Sequence, residues 1–119
     1  MNTMMLVEVD IYSGRPNPCY SLHSTETAEL MSRLATLPQT DQATQPAALG
    51  YRGLRVTIDP PDPTAEIQVG HGTVTIHQSD GEQRWLTDPD RQLERWLVGL
   101  GATRLGREDM TALRNALSR

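Results

Sequence analysis

An α+β fold, with an antiparallel sheet of about four to six strands and three helices packed against it, is what this chain of 119 residues predicts. Period-2 runs of Val, Ile and Leu occur at the start and through the middle of the chain. Stripes of Leu and Met at helical spacing occur once between those runs and twice at the end. The length suits one core and not two, so residues 1–119 are read as a single domain. Because two helices end the chain after a β region, a winged-helix-like arrangement stands as the alternative.

Met5, Val7, Val9 and Ile11 alternate with Leu6, Glu8, Asp10 and Tyr12, and the apolar residues on both faces mark an inner strand. Ser13, Gly14, Arg15, Pro16, Asn17 and Pro18 follow as a rigid turn. Pro16 and Pro18 fix their own φ at about −65° and push Arg15 and Asn17 out of the helical region, while Gly14 opens positive φ. Cys19 to Leu22 is a short extended piece placed to pair back on the first strand. Ser24 is read as the N-cap of a helix from about Thr25 to Thr36, striped by Leu30, Met31, Leu34 and Leu37 and stopped by Pro38. Residues 38–50 have little apolar content and no period, the composition of a flexible surface loop.

Gly50, Tyr51, Arg52 and Gly53 form a second glycine-framed arginine turn. Behind it, Leu54, Val56 and Ile58 alternate with Arg55 and Thr57 until the proline-rich stretch from Asp59 to Pro63. Ile67 and Val69, then Val74 and Ile76, flank Gly70, His71 and Gly72 as a hairpin, and Arg84 to Leu86 reads as a last short strand. Asp88 and Pro89 open a helix striped by Leu93, Trp96, Leu97 and Leu100. A third helix, from about Arg107 to Leu117, has Glu108 and Asp109 at its positive end. Trp85 and Trp96 are both read as core residues between the late helices and the sheet.

The net charge of −4 argues against broad electrostatic attraction to nucleic acid or anionic lipid, so neither is expected as a partner. All 11 basic residues are Arg, which excludes lysine-amine chemistry and offers planar guanidiniums for carboxylate or phosphate. A single cysteine, Cys19, forms no internal disulfide, and no signal-like segment opens the chain, so a reducing bacterial cytoplasm is the expected setting. No apolar run approaches the ~20 residues of a membrane helix.

His23, His71 and His77 stand at no metal-ligand spacing, so no metal is expected and all three are read as surface histidines, His71 the most exposed. Cys19 is read as a small buried apolar residue. Gly70, His71 and Gly72 lack the third glycine and following helix of a dinucleotide site, so no cofactor is expected either. No pair of acids stands out for proton transfer. Without a catalytic signature the chain reads as a binding protein rather than an enzyme.

What remains is Arg15 and Arg52, each in a stiffened turn at the end of a strand. If those strands are neighbours, Arg15, Asn17, Tyr51 and Arg52 form one ligand-binding cluster for a carboxylate, a phosphate or an acidic peptide segment. The competing reading pairs Arg15 with Asp10 or Asp59 and makes the first turn a corner brace. The corner is the favoured one.

The strand Val9 to Tyr12 running into Ser13-Gly14-Arg15-Pro16-Asn17-Pro18, then Leu49-Gly50-Tyr51-Arg52-Gly53-Leu54, then Asp88-Pro89 with Leu93-Glu94-Arg95-Trp96-Leu97, resembles a group of small uncharacterised microbial proteins. The chain also resembles, more loosely, small accessory partners of peptide-modifying enzymes in natural-product pathways, including splicease partners of radical enzymes. That likeness implies a non-enzymatic accessory protein that holds a protein or peptide partner in a groove or along a sheet edge. The alternative is a small anion- or ligand-binding domain, or a small enzyme, using Arg15 and Arg52. A free sheet edge in so small a domain leaves room for a homodimer.

Overall fold

The computed structural model describes residues 4–12, 14–41, 52–59, 65–78 and 81–117. The elements run β1 (Met4–Asp10), β2 (Cys19–Leu22), α1 (Ser24–Thr36), β3 (Gln39–Thr40), β4 (Gly53–Asp59), β5 (Ala65–Gly70), β6 (Thr73–Gln78), β7 (Gln83–Thr87), α2 (Gln92–Gly101) and α3 (Arg107–Leu117). Among the described residues the seven strands form one antiparallel sheet in the order β2-β1-β4-β5-β6-β7-β3, which replaces the winged-helix alternative. The sheet exceeds the predicted four to six strands by β3. Gln39 and Thr40 were expected to open the 38–50 loop, and instead pair with Leu86 and Trp85. Two polar residues carry no period of their own, so only the neighbouring strand reveals them. Positions 42–50 of that expected loop lie outside the described residues.

Alternation sorts the side chains onto two faces. One row of partners runs Val9, Leu54, Val69, Val74, Leu86, and a second runs Tyr20, Val7, Val56, Ile67, Ile76. All but Ile76 are buried, and Ile76 packs against them. Onto this face α1 brings Leu30 and Leu34, α2 brings Leu93 and Leu97, and α3 brings Met110 and Leu113. At about 1.5–3 kcal/mol for each fully buried aliphatic side chain, this aliphatic layer supplies the main driving force for folding. Among the described residues the three helices share that one face of the sheet, and the opposite face carries no helix.

Polar contacts lock the helix layer. The buried Tyr20 hydroxyl donates to the Leu97 carbonyl, and burial pushes its phenol far above the ordinary range. Arg104, in the link after α2, donates through both ends of its fork to Glu26 of α1 at 2.9 and 2.8 Å, and reaches the Ser21 carbonyl at 3.4 Å. Helix α1 starts one residue earlier than expected. His23, not Ser24, is the N-cap, and its N–H donates to Glu26 Oε1 at 2.8 Å. Before α2, residues Pro89–Arg91 make a single 3-10 turn, so the buried Asp88 carboxylate accepts from the more distant Leu93 and Glu94 N–H groups at 2.8 and 3.1 Å.

Three burial expectations are corrected. Trp96 packs on the core as expected, but Trp85 is only half-buried and alternates with buried Leu86, which turns it to the helix-free face. Cys19 is exposed for the same reason, out of phase with buried Tyr20. His71 is half-buried in the β5–β6 turn. Among the described residues no helix is long and apolar enough to cross a membrane.

Candidate functional site

The helix-free face is made of the residues each strand turns away from the core. One row crosses all seven strands: Cys19, Glu8, Arg55, Gln68, Thr75, Trp85, Thr40. In the next row Asp10 stands opposite Gly53, and Gly70 opposite Thr73. Here β4 begins and its neighbour β5 ends in glycine, so two side chains are missing, and a recess of about 210 Å³ opens between Asp10 and Thr73. Arg52, Arg55, Gln68, His71 and Thr75 also line it. Glycine is required on structural grounds. Gly53 has φ +116°, and a Cβ on it would lie 2.7 Å from the Val69 carbonyl oxygen. A Cβ on Gly70 would come within 3.0 Å of Gly53 Cα.

The charges around the recess are already matched. Arg52 Nη2 donates to Asp10 Oδ1 at 2.7 Å and to the Tyr12 carbonyl at 3.1 Å. The Arg52 hydrogen bond holds the Asp10 carboxyl below the usual carboxylate range, against burial acting the other way. Arg55 Nε lies 2.7 Å from Glu66 Oε1, and its Nη1 3.8 Å from Glu8 Oε1. A free anion entering the recess therefore meets little net positive charge. Gln68 and Thr75, by contrast, make no side-chain hydrogen bond to any described residue, so the recess offers neutral donors and acceptors.

Strained backbone backs this end of the sheet. His71, Asp90 and Arg91 are the non-glycine residues with positive φ among the described ones, each at 56°. A hydrogen bond of 2.8 Å from the Asp88 N–H to the Gly72 carbonyl ties their two turns together. Arg91 closes its turn by donating through Nε and Nη2 to Glu94, at 2.6 and 2.9 Å, and the Glu94 side chain is completely buried. Glu94 Oε2 would lie 3.8 Å from a Cβ on Gly70. Each such residue costs on the order of 1–3 kcal/mol, and such strain concentrates where a protein needs a fixed surface for function.

Of the predicted cluster, Arg52 and Asn17 share the Asp10 carboxylate and Arg15 lies over the neighbouring Tyr12 ring, while Arg52 and Arg15 line different depressions. Arg52 lines the recess; Tyr51 lies outside the described residues. Asn17 works inward: its Oδ1 accepts from the Ile11 and Tyr12 N–H groups at 3.1 and 2.8 Å, and its Nδ2 donates to Glu8 and Asp10 at 2.9 and 3.3 Å. That clamp closes the turn. Arg15 does not pair with Asp10, which belongs to Arg52; its carboxylate partner is Glu108, at 3.8 Å. It lines a separate groove with Tyr12, Pro16, Pro18 and the first residues of α3. Arg52 and Arg15 thus meet on Tyr12, one at its carbonyl and the other over its ring.

Arg55, Gln68, Thr75 and His71 were not predicted as site residues. Their signal was the pair of glycines inside strand ends, since a glycine in a strand often marks close approach of another group. Seeing it requires the β4–β5 register. Among the described residues no group of three or more His, Cys, Asp or Glu could hold a metal ion. No family model, curated protein or solved structure matches the chain.

Proposed function

We propose that the protein works by binding: it holds an extended stretch of a protein or peptide partner against the helix-free face of its sheet. An uncharged polar side chain of that stretch enters the recess. The observation that carries this reading is the composition of the recess, whose guanidiniums are paired with carboxylates while Gln68 and Thr75 keep open hydrogen-bonding capacity. Amide and hydroxyl groups use such a lining, whereas a lone anion finds little there to neutralise. An accessory role beside a peptide-modifying enzyme fits this activity, and a reducing cytoplasm suits an exposed lone Cys19.

A positional-scanning library of capped hexapeptides, passed over the immobilised chain, tests the reading. Pools with Asn, Gln, Ser or Thr fixed at one position should be retained, and Thr75→Trp, which fills the recess without touching its ion pairs, should release them. Retention unchanged by that plug, or selection of acidic pools lost on Arg52→Ala, would replace this reading with the anion-binding one.

A further inference from the structure

We propose that the groove between the 14–18 turn and the start of α3 is a second binding site, one that receives a carboxylate side chain of a partner on Arg15 and Arg107. The groove has a volume of about 380 Å³. Its distinguishing feature is an arginine whose orientation is fixed while its charge is nearly uncommitted. Arg15 Cζ lies 3.8 Å above the Tyr12 ring centroid, which holds the guanidinium over the ring while about half of the side chain, 52%, stays exposed. Tyr12 is itself held, because its hydroxyl donates to Asp109 Oδ1 at 2.6 Å.

The carboxylate facing Arg15 is a weak competitor. The Arg15–Glu108 contact is 3.8 Å, between side chains that are 52% and 85% exposed, a geometry worth little in water. Arg107, also exposed, has no ion pair or side-chain hydrogen bond to any described residue. A partner's carboxylate can therefore displace Glu108 at small cost and accept from Arg15 in the two-pronged geometry that suits a planar fork. Carboxylate is favoured over phosphate, because Glu108 and Asp109 on the same wall repel a doubly charged group more strongly than a singly charged one. Pro16 keeps the opposite wall stiff. The site is separate from the recess and stands whether or not the recess binds a peptide.

The test follows the arginine Nε–Hε resonances of the full chain by NMR during titration with a capped Gly-Gly-Glu-Gly-Gly peptide, its Gln counterpart, and inorganic phosphate. The Glu peptide should move the Arg15 and Arg107 signals and the Gln peptide should not. Arg15→Ala should weaken the Glu-peptide response by about tenfold, the loss expected for one charge-assisted bond. Arg15→Lys, with the charge but not the fork, should recover only part of it. Equal response to the Gln peptide, stronger response to phosphate, or wild-type binding by Arg15→Ala overturns the proposal. If Arg15→Ala fails to fold, Arg107→Ala carries the same readout from an exposed helix position.

Discussion

Arg15 and Arg52 touch the same tyrosine and have opposite commitments. Arg52 is mostly buried, with its Nη2 spent on Asp10 and on the Tyr12 carbonyl; Arg15 is half exposed, stacked on the Tyr12 ring, and only loosely opposed by Glu108. Both lie in glycine-framed or proline-framed turns, so the turns do not distinguish them. The difference comes from what the chain places opposite. Asp10 ends the strand paired with β4, and its carboxylate reaches the guanidinium of Arg52, the residue just before that strand. Among the described residues nothing comparable faces Arg15. An arginine met by a partly buried carboxylate braces the fold, and one met by an aromatic face and a solvated acid is available to a partner.

Breaking the recess should produce the largest effect. Gly53→Ala forces a side chain into positive φ and to within 2.7 Å of the Val69 carbonyl oxygen, a backbone atom that cannot swing away. The expected loss is about 3 kcal/mol, read from the urea midpoint at constant m. Arg52→Ala comes next, with a smaller downward shift of the same midpoint, because it leaves Asp10 beside only the weaker Asn17 contact at 3.3 Å. If Arg52→Ala costs no more than Arg15→Ala, the contrast between the two arginines fails.

Acid sharpens the same contrast. Asp10 and Glu26 are both held below their ordinary range, chiefly by hydrogen bonds from Arg52 and Arg104. A carboxyl whose folded pKa is depressed adds stability that is present above its unfolded value, about 4, and is lost as pH falls through the folded one. Stability should therefore hold down to about pH 5 and decline below it. In Asp10→Asn the decline should be shallower, because one of the two groups no longer titrates. An unchanged acid slope in Asp10→Asn would mean that the Arg52 pair contributes nothing measurable.

The sheet and helices were legible because their periods are local. The runs from Met5 to Ile11 and from Leu54 to Ile58, and the stripe Leu93, Trp96, Leu97, each announce one element. β3 was not legible, because two polar residues have no pattern. Cys19 and Trp85 were misplaced for a related reason: residue type favours burial, but the alternation with Tyr20 and Leu86 decides which face each takes. The site was legible only as its arginines. The recess exists because Gly53 and Gly70 fall side by side, and the groove because Tyr12 meets Asp109 across 97 positions. Both facts are tertiary, and no window along the chain contains them.

Arg15→Ala is the smallest expected effect on stability and the most informative. Its contact with Glu108 joins two well-exposed side chains, which contributes about 0–1 kcal/mol, and the stack on Tyr12 adds about 0.5–1 kcal/mol at such a site. The turn itself is closed by Asn17, through the Ile11 and Tyr12 N–H groups, and that clamp does not involve Arg15. Removing the arginine should therefore cost about 1 kcal/mol and leave the amide spectrum dispersed, while Asn17→Ala, which strips two backbone donors of their acceptor, should cost about twice that. The reverse ranking would make Arg15 the brace of the corner and leave the groove without its binding residue.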